Sequence, residues 1–548
     1  MTRIDTDANR VGRPVAVGGE PTALAAVAGH LWVGAGASRA THRGGTLRLV
    51  STQRFTTADP GLSYTAEPLQ FGRLAYDGLV TFQASSGPAG LRLVPDLAVA
   101  LPVPADGGTT YTFRLRRGIR YSDGRPVRAG DFRRGIERLF RVGSFGADYF
   151  RGIAGAARCG RRPRRCTLRH GISTDDRRGT VAFRLAAPNP DFLFKLTVFS
   201  YAAPVPPGTP DRDAGRTPLP GTGPYRIAEL TDRELRFARN PRFREWSHAA
   251  QPDGNPDAIV WRFARSAGAA AAAVERGEAD WLFGLVAPSR LPALRRSSAG
   301  QLHVNRSLIF DFIPLNTHVA PFDDVRVRRA VNLAIDRDRI TRMYGGADVA
   351  PPLCQALLPG MRGYRQYCPY PHDLARAKAL VATAGVRDTR VDVWGTTDQV
   401  GTPRGVAAYV TAVLRSLGLR ARLHLAPLAR YTPAFRRRIQ LSVDGDWLAD
   451  YPAPSAYLPQ FFGCHGGLSN GYVCDRRLGR LMRRASALEL PDGAAADAAW
   501  ARADRRITDQ ALWIPTVNVH GLELVSRRLR NYQYHPVWGF MADQAWLR

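Results

Sequence analysis

The stretch RVDVWGTTDQVGTPRGVAAYVTAVLRSLGLRARLHLA, residues 390–426, sets the fold class. Its opening, Arg390 to Trp394, reads as a short strand. Val406, Val410, Val413, Leu414 and Leu417 then recur at helical spacing, which makes one helix face apolar. Gly418 supplies a stop, and Leu419, Ala421, Leu423 and Leu425 alternate as a second strand. A further helix is expected over 428–438 and a third strand over Ile439 to Val443. In strand–helix–strand order each helix carries the chain back to the same end of the sheet, so the strands lie parallel. Ligands of such sheets bind beyond the carboxyl ends of the strands.

Upstream, Asp323 or Asp324 caps a helix that carries Val327, Val331, Ala334 and Ile335. Thr46 to Val50 and Thr110 to Leu115 alternate as strands, the second with Tyr111, Phe113 and Leu115 on one face. Asp131 reads as the N-cap of a helix with Phe132, Ile136, Leu139 and Phe140 inward. Strands are expected at Leu235 to Phe237 and Ile259 to Phe263, and the proline-rich segments 188–190 and 204–224 mark loops. Residues 1–42 differ. Val15 to Val33 resembles one blade of a bacterial β-propeller repeat of the VGGxPxALA…LWV kind, and one blade cannot bury its own faces.

At 548 residues the chain has room for two or more domains. Mean hydropathy is −0.24, and no run of ~20 apolar residues is present to span a membrane. The start, MTRIDTDANRVGRPVAV, lacks the apolar core of an export signal. Net charge is +30, almost all of it arginine, because Lys195 and Lys378 are the only lysines. The arginines are spread along the chain, so a nucleic-acid partner is not expected. The densest run, Arg158 to Arg169, reads as a solvated hairpin. Weak attraction to anionic surfaces follows from the charge alone.

The six cysteines form three local pairs: Cys159 with Cys166, Cys354 with Cys368, and Cys464 with Cys474. An even count in local pairs points to disulfides and an extracytoplasmic compartment. Zinc is the rival reading. It needs closer pairs and more imidazole than His465 supplies, so no metal is expected.

Catalytic motifs are missing: the chain has no G-x-S-x-G, no H-E-x-x-H and no P-loop lysine. The carboxylates at Glu278–Asp280 and Asp444–Asp446 read as solvated turns, and His303 and His318 stand alone. Neither enzyme activity nor a cofactor is expected. The informative stretch is LSVDGDWLADYPAPSAYLPQFFG, 441–463. An acid and flat rings beyond a strand end suit a cleft that binds an ammonium and apolar groups. The competing reading makes Trp447 core and Asp450 the cap of the turn before Pro452.

From about Gly45 onward the chain resembles the family 5 extracellular solute-binding proteins, the oligopeptide-, dipeptide- and nickel-type receptors of bacterial ABC importers. The resemblance runs through YDGLV (76–80), LVPDLAVALPV (93–103) and YTFRLRRGIRYSDGRPVRAGDF (111–132). It continues through PGTGPYRI (220–227), PLNTHVAPFDDVRVRRAVNLAIDRDRI (314–340), DLARAKALVATAG (373–385) and DWLADYPAPSAYL (446–458). It implies an α/β, two-lobed periplasmic-binding-protein-like fold of the large peptide-receptor type (class II), hinged between lobes. Lobe I would be residues 43–304 with 516–548, and lobe II 305–515. Asp450, in LADYPAP, matches the aspartate that pairs with a peptide's amino terminus. Trp447, Tyr451 and Trp394 would line the lobe II wall, faced by the Phe55–Pro60 loop with Phe55 and Thr57. The implied partners are a peptide or other small solute and an ABC permease, with the chain monomeric and at most peripheral to the membrane. The bridges would brace a lobe I hairpin, the loop before Asp373, and the loop after Asp450. The family carries an export signal, usually with a lipidation cysteine, and neither is seen here. The chain is therefore expected to be part of a larger protein or to be exported by something outside it. The alternative to import is a ligand-sensing module within a signalling fusion.

Overall fold

The parallel layer forms where the 390–426 pattern places it. In the computed structural model Arg390–Thr396 lies between Arg420–Ala426 and Leu441–Ser442, parallel to both. The helix Gly405–Ser416 covers the layer with Val406, Val410 and Leu414 buried. Gly418 ends that helix at φ +87°, a conformation open to glycine and strained for residues with a Cβ. The structure describes all residues except 1–3, 6–9, 12–20, 28–29, 36–41, 63–71, 285, 287, 398–402, 404, 428–429, 432–437 and 465–471, and only the backbone of the described residues before 42. The helix expected over 428–438 lies largely outside the described residues.

Around this layer the fold is organised by two long strands, Leu302–Pro314 and Trp513–Val525, which run antiparallel as neighbours near one edge of an eight-stranded sheet. At one end they join Trp281–Leu282, Thr46–Ser51, Ala258–Phe263, Glu234–Arg239 and Tyr225–Leu230. At the other, Ile309–Phe312 pairs with Gly445–Leu448. The ladder slips midway: Asn305 faces Gly521, and the next pair is Ile309 with Val519. Ser307 fills the resulting bulge, donating to Val519 O at 2.5 Å, while Asn518 Nδ2 donates to Ile309 O at 2.6 Å. Side chains thus replace the ladder bonds that the bulge removes.

A third layer, Thr110–Arg114, Thr180–Arg184 and Ile172–Asp175, is antiparallel and packs on the helix Ala129–Arg141. Phe132, Ile136, Leu139 and Phe140 are buried there, as their spacing predicts. The cap differs from expectation. Arg128 is the N-cap, and Asp131 sits three residues in, accepting from Arg128 N and the Tyr121 hydroxyl at 3.0 Å each. An acid in the first turn satisfies an otherwise open N–H from either position, so composition alone does not separate the two. Asp324 caps Val325–Ala334 as read.

The three cysteine pairs are bonded, with Cα–Cα distances of 4.4, 5.0 and 4.3 Å in chain order. The first closes a turn built from the short helix Ala156–Arg161 and a 3-10 turn, rather than a β-hairpin. Before residue 42, Pro21–Val27 and His30–Ala35 pair as an antiparallel hairpin. Among the described residues no helix is long and apolar enough to cross a membrane.

Candidate functional site

The chain leaves the parallel layer after Ser442 and joins the edge of the long sheet at Gly445. Only glycine passes there: a Cβ at 445 would lie 2.4 Å from Phe312 O. Asp444 closes the strand end by accepting from Thr396 N at 2.5 Å. This crossing carries the chain past the carboxyl ends of the parallel strands to Trp447, Asp450 and Tyr451, the side where ligands of such sheets bind.

Trp447 is half-buried and stands edge-on to Phe461 at 5.4 Å. Its indole N–H is buried and has no acceptor among the described residues, and a buried donor of that kind is costly unless something fills it. Trp394, on the neighbouring strand, stacks on His424 at 4.6 Å, and the His424 ring bonds Asp392 at 2.8 Å. Pro452 keeps Tyr451 out of the helical region. Asp450 is half-buried and Tyr451 is 3% exposed.

Tyr451 lies parallel to Phe194 with ring centroids 5.6 Å apart. Phe194 belongs to the helix Phe192–Leu196, so this stack joins segments 257 positions apart in the chain. Carboxylates gather at the same place. Burial, followed by the charges of Asp191, Asp450 and Glu489, holds the Tyr451 phenol well above its ordinary range. Burial pushes Glu489 up to about 7, helped by Asp191 and opposed by the Trp500 N–H and Arg362. Asp191 is likewise raised by burial, against the pull of Ser455, Lys195 and Arg362. Burial lowers Lys195 and the Asp191 charge raises it. Trp500 Nε1 donates to Glu489 at 2.7 Å, and Arg362 lies 3.8 Å from the same carboxylate. A cation entering here would relieve the crowding of like charges. Among the described residues no group of three or more His, Cys, Asp or Glu is placed to hold a metal ion.

Phe55 and Thr57 sit elsewhere. Phe55 packs edge-on against Trp261 at 5.0 Å and beside Phe263. Thr57 is buried, donating to Asp213 at 2.6 Å. Both line a cavity of about 40 Å³ with Tyr76, Ile227 and Phe237. The side chain set against Tyr451 is instead Phe194. Asp191, Phe194, Lys195 and Glu489 were not singled out from sequence. The only local sign of the first three was the loop Pro188–Pro190 just before them, and their meeting with Tyr451 spans some 260 positions of chain, whereas Glu489 follows Tyr451 by 38.

A family model for bacterial extracellular solute-binding proteins, family 5 (middle region), matches residues 92–469. The di/tripeptide-binding protein 2 of Pseudomonas aeruginosa is 24% identical over 508 residues, covering 86% of this chain and 92% of that protein. The glutathione-binding protein GsiB of Shigella dysenteriae is 22% identical over 511 residues, covering 90% and 92%. Among solved structures, the clavulanic acid biosynthesis oligopeptide binding protein 2 superposes with a TM-score of 0.80 at 28% identity, over 93% of this chain and 96% of that one. Haemophilus influenzae OppA in complex with RPPGFSPFR gives 0.75 at 20% identity, over 92% and 98%. The fold is therefore the two-lobed fold of these receptors, and the chain belongs to the bacterial extracellular solute-binding proteins, family 5.

Proposed function

We propose that this protein captures a peptide or peptide-like solute between its two lobes and delivers it to an ABC importer. The observation that carries the proposal is the seam at Asp450–Tyr451. There Tyr451 stacks on Phe194 of the opposite lobe, and carboxylates from both lobes converge. In this reading Asp450 accepts the ligand's ammonium. Trp447, Tyr451 and Trp394 form the lobe II wall, with the Trp447 N–H free to donate to a peptide carbonyl. Phe194 faces this wall from lobe I, while Phe55 and Thr57 pack into their own loop and brace it from within. The lobes are residues 43–304 with 516–548, and 305–515, and the bulge at 305–309 and 519–521 absorbs the hinge motion. The work is binding, not chemistry. The ligand drives closure only through its greater affinity for the closed form.

The peptide-binding names of the relatives support this reading, as does the match to receptors over both lobes. Native mass spectrometry of protein purified without denaturant would detect a co-purified peptide, and calorimetry with di-, tri- and longer peptides would rank them. No measurable affinity for any peptide length would overturn the proposal. The second reading, a sensing module, draws on the hairpin at 21–35. It expects the same binding but no stimulation of a permease's ATP hydrolysis.

A further inference from the structure

The turn from Gly155 to His170 carries six arginines and no acid. It has two faces. Cys159, Cys166 and Leu168 are buried at 1%, 3% and 1% exposure, while Arg158, Arg161, Arg162, Arg164, Arg165 and Arg169 are all exposed. None of the six makes an ion pair among the described residues. The nearest acids are already engaged: Glu137 accepts from Leu168 N at 2.8 Å, and Arg141 reaches both Glu137, at 3.1 Å, and Asp211, at 3.5 Å.

The array is also held in place. The Cys159–Cys166 bridge closes it, and Arg141 donates to Cys166 O at 2.9 Å, tying it to the Ala129–Arg141 helix. Between the turn and that helix end runs an open groove of about 660 Å³, lined by Phe140, Gly143, Arg162 and Arg165 among others. Just beyond Gly143, Phe145 is 42% exposed.

Like charges fixed side by side repel, and fixing them lowers the entropy cost of meeting a partner that supplies the counter-charge. Guanidinium forks pair bidentately with phosphate oxygens. An exposed aromatic beside them suits a headgroup boundary better than a bare polyanion. We propose that this stapled arginine turn, with Phe145 at its edge, is a docking surface for an anionic phospholipid membrane. It would hold lobe I against the bilayer without a spanning segment.

The test is co-sedimentation of the full chain with phosphatidylcholine vesicles carrying about one-third phosphatidylglycerol, at about 0.1 M salt. One variant carries Arg158→Ser, Arg161→Ser, Arg162→Ser, Arg164→Ser and Arg165→Ser with both cysteines kept. A charge-matched control replaces Arg476, Arg477, Arg480, Arg483 and Arg484 by serine. These are exposed arginines on the helix Arg476–Leu488 of lobe II. All substituted residues are exposed, and an unchanged thermal transition verifies folding. The turn variant is expected to lose at least about tenfold in partitioning, and the control less than about threefold. Phe145→Ser is expected to weaken binding further without altering its salt dependence. Equal loss in both arginine variants would reduce the effect to bulk charge and overturn the proposal. So would no loss in the turn variant, no binding by the wild-type chain, or full release by millimolar inorganic phosphate or by an acidic polypeptide.

Discussion

Replacing Asp450 by asparagine keeps the shape of the side chain and removes its charge. Two unit charges 4 Å apart attract by about 4 kcal/mol at the effective dielectric of a protein surface. Asp450 is half-buried, so desolvation of the pair cancels part of that attraction. A net loss of about 2–3 kcal/mol is left, or roughly 30- to 150-fold in Kd. Asp191 and Glu489 remain, but burial raises both, and Glu489, pushed to about 7, replaces the lost charge only in part near neutral pH. The assay is calorimetry with a tripeptide and its N-acetylated form, on wild type and Asp450→Asn. Wild type should discriminate between the two peptides by the factor above. The variant should discriminate by less than about threefold, because the ammonium has lost its partner. If the variant keeps full discrimination, Asp450 is not the ammonium partner. If it loses affinity equally for both peptides, Asp450 shapes the turn before Pro452 and does nothing else.

Phe194→Ala removes the ring that stacks on Tyr451 across the lobes. Such a pair is worth about 0.5–1.5 kcal/mol, so peptide affinity should fall roughly three- to tenfold, with a larger radius of gyration for the loaded protein in small-angle scattering. Unchanged values would remove Phe194 from the closure contacts. Cys354→Ala with Cys368→Ala opens a loop of sequence separation 14 and should cost about 3 kcal/mol in urea unfolding. A loss below about 1 kcal/mol would mean the loop is already held by Gln355, which bonds Asp504 and Tyr367 N. Glu523, on a long strand beside Trp281, has its carboxyl pushed by burial from 4.5 to about 8. The folded form therefore holds its proton where the unfolded form has released it. The stabilisation is full below pH 4.5 and falls by about 1.4 kcal/mol per unit as pH rises toward 8. Glu523→Gln should flatten the decline in the urea midpoint between pH 5 and 8, and an equally steep decline in the variant would show that another group causes it.

The parallel layer was legible because its signals are local. Val406, Val410 and Leu414 declare a helix face, and Gly418 declares its end, before any tertiary contact forms. The cap at Asp131 was misplaced by three residues because an acid serves either position of the first turn. Trp447, Asp450 and Tyr451, the proposed lobe II wall, could be singled out because they follow one another along the chain. The opposing side could not. Phe55 looked available as an aromatic after a strand, yet Trp261 and Phe263 take it up within lobe I. Phe194 carried no mark beyond the Pro188–Pro190 loop just before it.

The family, the strand and helix order and the three cysteine pairs were legible in the sequence alone. Each of these is written in neighbouring residues, where periodicity, turn chemistry and short loop closure operate. The packing of the chain alone brings Phe194 onto Tyr451 and sets Asp191, Lys195 and Glu489 around them. No local stretch encodes a contact between side chains 257 positions apart, which meet only once the whole chain has packed.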